Sequence, residues 1–135
     1  MSDILIFDTS VLVDELRTGR HRKGIESVEG LVRTSSVVLA ELLRGVTGPA
    51  EHKFLRSLAR NYPILTPTEK NWIESGEILA NIRADKGFAP HKLRDLHFDA
   101  LIALTARSHG ARLIATNRTD FELIGRYCMF KLEAW

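Results

Sequence analysis

Four carboxylates in this chain stand in apolar surroundings. Asp8 closes the run ILIF (4–7), Glu41 lies inside VVLAELL, Asp99 lies inside FDALIALTA, and Asp120 follows RLIAT (112–116) by four residues. An acid is rarely fully buried unless it is paired or holds a metal. Each has an ordinary reading by itself. Asp8 could cap a following helix, Glu41 could be solvated, Asp99 could pair with Arg94 or Arg107, and Asp120 could be a turn or cap residue. Their joint occurrence is harder to explain in that way. If the four converge, two like charges about 4 Å apart cost on the order of 4 kcal/mol at an effective dielectric of about 20. A divalent cation removes that cost. A set of oxygen ligands with one cysteine in the chain and no HExxH suits Mg²⁺ or Mn²⁺. Such an ion activates water and stabilises the charge that develops as a phosphodiester is cleaved. The five histidines are scattered, so no histidine general base is evident, and His97 reads as a loop or surface residue.

The elements that must position these acids alternate between strand and helix. Ile4–Phe7, residues 31–35, Ile64–Leu65, RLIAT (112–116) and residues 127–132 read as short strands, several of them continuous apolar runs that suit a parallel sheet covered on both faces. Between them, helices are expected over 10–16 with Thr9 or Ser10 as N-cap, over VVLAELLRG ending at Gly45, and over 50–61 with Phe54, Leu55 and Leu58 on one face. Further helices are expected from the capping sequence TPTE to about residue 84 and over 96–110. A turn and short helix follow in NRTDFELIG. Residues 17–24 read as a basic loop or helix start, and 85–95 as a basic loop. Trp72, Ile73, Leu79 and Ile82 are expected in the core, with a dimer interface or partner groove as the alternative for some of them. The alternation predicts an α/β architecture with a mostly parallel sheet. Ligands of such sheets sit outside the carboxyl ends of the strands, where Asp8 and the group Thr116, Asn117 and Asp120 fall.

The bulk composition fits one domain over residues 1–135. It is 44% hydrophobic and 27% charged, which argues against disorder, and its net charge of +2 is too small to announce nucleic-acid binding. The lone Cys128 excludes an internal disulfide and a cysteine-rich zinc site. No signal peptide and no membrane-length apolar run is visible, so a cytoplasmic protein without a membrane partner is expected.

The segments DTSVLVD, SSVVLAELLRG, FDALIALTA and LIATNRTDF resemble, in order and spacing, the PIN-domain ribonucleases. The similarity is closest to the VapC-type toxins of toxin–antitoxin pairs and spans Ile4 to Phe121. It implies a three-layer α/β/α fold with a central, mostly parallel sheet. It also implies a Mg²⁺- or Mn²⁺-dependent endoribonuclease that cuts RNA phosphodiesters, forms homodimers and is held inactive by a protein antitoxin. By position, Asp8, Glu41, Asp99 and Asp120 resemble the four metal-site acids, with Asp8 and Asp99 holding the ion directly. Thr9 and Asn117 resemble their supporting polar residues. Asp95, one helical turn before Asp99, is a competitor that the match of DALIALTA disfavours. RNA requires cations along its path; Arg17, Arg20, Arg22 and Lys23, then Lys86, Lys92 and Arg94, are the candidates. Two other classes share the same acids: a non-catalytic metal-, RNA- or protein-binding module on this fold, and a DNA-directed nuclease or phosphatase. GxxxxGK[ST] is absent, which argues against an NTPase.

Overall fold

The computed structural model describes residues 3–135 as five strands and seven helices. The strands are β1 (Ile4–Phe7), β2 (Leu31–Ser35), β3 (Ile64–Leu65), β4 (Arg112–Ala115) and β5 (Lys131–Ala134). They form one sheet in the order β3-β2-β1-β4-β5, and every pairing is parallel. Leu5 and Ile6 of β1 and Leu113 and Ile114 of β4 are fully buried. A central parallel strand is covered on both faces, which is why these two segments read as unbroken apolar runs.

The helices are α1 (Thr9–Thr18), α2 (Arg22–Ser27), α3 (Ser36–Arg44), α4 (Pro49–Asn61), α5 (Glu69–Lys86), α6 (Pro90–Ser108) and α7 (Arg118–Gly125). From β1 the chain steps outward through β2 to β3, then returns across the sheet to β4 and continues to β5. Right-handed crossovers therefore place α1 to α4 on one face and α5 to α7 on the other, which gives the three layers. The step direction reverses between β1 and β4, so a crevice opens beyond their carboxyl ends.

Several expected boundaries move. Helix α1 begins at Thr9 because Asp8, not Thr9 or Ser10, is its N-cap: the Asp8 carboxylate accepts from the Ser10 backbone N–H. The segment 85–95 is not a loop. Pro90 takes the first helical position of α6, where its missing N–H costs nothing, so only residues 87–89 connect α5 to α6. His97 consequently lies on α6, half-buried, with its Nε2 at 2.8 Å from Ser75 Oγ. Thr68 caps α5 in a capping box closed by Asn71. The last strand is shifted to 131–134, and Trp135 folds back over Phe7 and His21, with ring centroids 5.7 Å away in each case. A side-chain carbon on Gly24 would come within 2.8 Å of the Trp135 ring, so a larger residue there would have to displace that ring. Ile78, Leu79 and Ile82 enter the core, but Trp72 and Ile73 are 53% and 60% exposed. Both occupy the first turn and a half of α5, where Trp72 lies edge-on to His97 of α6 with ring centroids 6.4 Å apart.

Candidate metal centre

The crevice between β1 and β4 collects one acid from each of four elements. Asp8 directly follows β1, and its backbone N–H donates to Ile114 O of β4 at 2.8 Å. Its side chain is 2% exposed. Oδ2 accepts from Ser10 N at 3.0 Å and Ser10 Oγ at 2.6 Å, whereas Oδ1 is buried without any partner. Ser10 Oγ in turn accepts from Thr116 N at 3.1 Å, stitching the end of β4 to the start of α1. Glu41 projects from α3 and is held by Thr9 Oγ1, which donates to its Oε1 at 2.8 Å. Asp99, from the buried middle of α6, is 8% exposed. Asp120 lies in the first turn of α7. Asn117 Nδ2 reaches both Asp99 Oδ2, at 3.4 Å, and Asp120 Oδ2, at 3.3 Å.

Burial drives the protonation behaviour of these groups. It pushes the Asp8 carboxyl up against the opposing hydrogen bonds from Ser10 and Thr9. It does the same to Glu41, opposed by the Thr9 hydrogen bond and reinforced by the charges of Asp8 and Asp95. Asp99 rises to about 8, first through burial and then through the charges of Asp8, Glu41 and Asp120. The four acids thus face one another closely enough for their charges to add at Asp99.

The residues suit a hard divalent cation. The donor set is all oxygen, one buried carboxylate oxygen of Asp8 has no other partner, and the crowded negative charge demands a counter-charge. Among the described residues no three His, Cys, Asp or Glu side chains are already drawn into a metal-ligand cluster. Each acid is held by its own donor: Ser10 for Asp8, Thr9 for Glu41, Asn117 for Asp99, and Lys92 for Asp120.

The other expected residues separate into two groups. Asp95 is exposed, and neither Arg94 nor Arg107 pairs with Asp99: Arg94 is exposed and Arg107 binds Glu74 of α5. Arg17, Arg22 and Lys23 are exposed, whereas Arg20 is engaged with Asp14 at 2.6 Å. The sequence offers Ser10 only as an N-cap candidate and not as the partner of Asp8, although a hydroxyl two residues after an acid at a helix start is a recognisable capping pattern. Lys92 reads from sequence as a surface cation because its segment has the composition of a loop, whereas it lies on α6 and binds Asp120.

Fold and site together define a doubly wound parallel α/β domain with a carboxylate-lined crevice at its topological switch point. The family is the PIN domain: its sequence model matches residues 5–127, and the chain belongs to it. The fold is similar to that of VapBC-1 from nontypeable Haemophilus influenzae, with a TM-score of 0.70 and 21% identity over 98% of each chain. It is similar also to DNA-bound VapBC from Salmonella typhimurium, with a TM-score of 0.69 and 22% identity over 100% of this chain and 99% of that one. VapBC2 from Rickettsia felis, bound to a DNA fragment of its promoter, gives a TM-score of 0.68 and 23% identity over 98% of each chain. No curated protein sequence matches. Among the described residues no helix is long and apolar enough to cross a membrane.

Proposed function

We propose that this protein is a divalent-metal-dependent endoribonuclease, the toxin of a toxin–antitoxin pair, with Asp8, Glu41, Asp99 and Asp120 as its metal-site acids. One observation carries the reading. Four acids from four elements meet at the switch point of a PIN-domain sheet, and the most buried of them has an oxygen with no protein partner. A bound Mg²⁺ or Mn²⁺ supplies an activated water and neutralises charge developing on the phosphodiester. Asp8 and Asp99 are the residues to hold it, since they are the two buried carboxylates. Thr9 orients Glu41, and Asn117 holds Asp99 and Asp120 in mutual register. Ser10 fixes one oxygen of Asp8 and leaves the other free to face the ion.

The exposed cations Arg17, Arg22, Lys23 and Arg94 serve the RNA backbone in this reading. Arg20 and Lys92 contribute less to that path, because each is paired with an acid. The partner is a protein antitoxin, and the chain assembles as a homodimer. Support comes from the VapBC assemblies that share its fold and from the exposed apolar side chains Trp72 and Ile73.

The test is cleavage of structured RNAs and single-stranded DNA by partner-free protein in Mg²⁺ or Mn²⁺. RNA-selective cuts are expected, abolished by EDTA and reduced on the order of 10²-fold or more by Asp8→Asn, since losing even an outer-shell partner costs 10–100-fold. Metal-dependent cutting that survives Asp8→Asn would refute the assignment, and cutting of DNA alone would move the protein to the DNA-directed class.

A further inference from the structure

Lys92 is the one described cation that hydrogen-bonds an acid of the candidate metal centre. Its ammonium donates to both oxygens of Asp120, at 2.8 Å and 3.0 Å. The pair is not an ordinary surface ion pair. The Asp120 side chain is only 19% exposed, and its Oδ2 is shared with Asn117, which also reaches Asp99. Lys92 lies on α6 seven residues before Asp99, about two helical turns, so the two side chains leave the same face of the helix. The other cations near the acids are differently engaged. Arg44 lies over the Phe98 ring at 5.2 Å from its centroid, and Arg118 binds Glu122 at 2.6 Å.

We propose that Lys92 is a built-in second cation of this site: its ammonium neutralises the Asp120 half of the crevice, so the protein takes one divalent ion, at the Asp8–Asp99 half, and not two. The inference rests on the metal-site reading above and deepens it. Where two divalent ions act together, one faces the attacking oxygen and the other the leaving oxygen. Here a single positive charge is covalently tethered on one side. It cannot dissociate, it needs no second ligand shell, and it leaves the unpartnered oxygen of Asp8 as the entry point for a single ion. A second ion at Asp120 would have to displace Lys92 from both carboxylate oxygens.

The experiment is a Mn²⁺ titration of the partner-free protein, read as free Mn²⁺ by electron paramagnetic resonance and independently by calorimetry. Natural protein, Lys92→Met, Lys92→Arg and the double variant Lys92→Met with Asp120→Asn are compared, each checked for folding by circular dichroism. One ion per chain is expected for the natural protein and for Lys92→Arg. Two are expected for Lys92→Met, or a weak second site tightened at least tenfold. One is expected again for the double variant, because it lacks the carboxylate that the second ion needs. Two ions on the natural protein, or an unchanged count and affinity in Lys92→Met, would overturn the role of Lys92 while leaving the metal site standing. No Mn²⁺ bound by any variant would overturn both this inference and the metal-site reading.

Discussion

Asp8 serves two purposes with its two oxygens. One accepts from Ser10 and caps α1; the other is left buried and unpaired in the crevice. An unmatched buried oxygen is costly in isolation. The same conflict is stronger at Asp99, whose carboxyl is raised to about 8 by burial and by three neighbouring acids. A buried acid with a raised pKa opposes folding at pH values above its unfolded value, because the unfolded chain ionises freely and the folded one does not. Asp99→Asn should therefore stabilise the metal-free protein. In EDTA at pH 8 the gain expected is about 1–3 kcal/mol, one pKa unit being about 1.4 kcal/mol. Urea unfolding measures it, and the same variant should lose RNA cleavage. A variant less stable than its parent in EDTA would show that the crowding of carboxylates carries no cost.

Helix α6 is the element on which the site depends most. It carries Lys92 and Asp99 toward the crevice, and residues 100–106 are buried on every side between the sheet and its neighbouring helices. Its far end is tied to α5 by a two-pronged ion pair, Arg107 Nη1 to Glu74 Oε2 at 2.7 Å and Nη2 to Oε1 at 2.8 Å. The Arg107 hydrogen bond holds Glu74 below the usual carboxylate range. A depressed acid stabilises the fold above its unfolded pKa, and that contribution is lost as pH falls through the folded value. Glu74→Gln should thus cost up to about 1 kcal/mol at neutral pH, the pair being partly exposed. The cost should shrink toward zero as the pH is lowered below the ordinary glutamate pKa. Thermal unfolding of both proteins across that range measures it, and a pH-independent difference would mean that the charge of Glu74 is not what matters.

At the scale of the molecule, the reversal of strand order between β1 and β4 creates the crevice, and the opposite layers bring α3 on one side and α6 and α7 on the other to its rim. A second whole-molecule feature is the apolar surface left by Trp72 and Ile73. Exposed apolar side chains mark a contact surface when they cluster. Ile73→Lys should leave unfolding within about 0.5 kcal/mol of the parent, as exposed substitutions do. It should also convert the proposed homodimer to monomer by light scattering. A dimer that persists unchanged would place the interface elsewhere.

The sequence by itself determined most element types and the parallel sheet and marked the four acids as candidates, because apolar runs of strand length and acids stranded within them are local patterns set by burial. Ile4–Phe7, Leu31–Ser35 and Ile64–Leu65 were legible to the residue for that reason. The helical start of 90–95 was not, because a proline followed by basic residues has the composition of a loop although Pro90 is well suited to open a helix. Nor were Trp72 and Ile73, whose helix is apolar on more than one face, so that which face is buried depends on where α6 packs. Only the tertiary structure decided which donors Glu41, Asp99 and Asp120 would meet. Thr9 meets Glu41 across 32 residues, Lys92 meets Asp120 across 28, and Asn117 meets Asp99 across 18. Pairings at such separations are created by the strand order and the layering of helices, and local residue spacing carries no record of them.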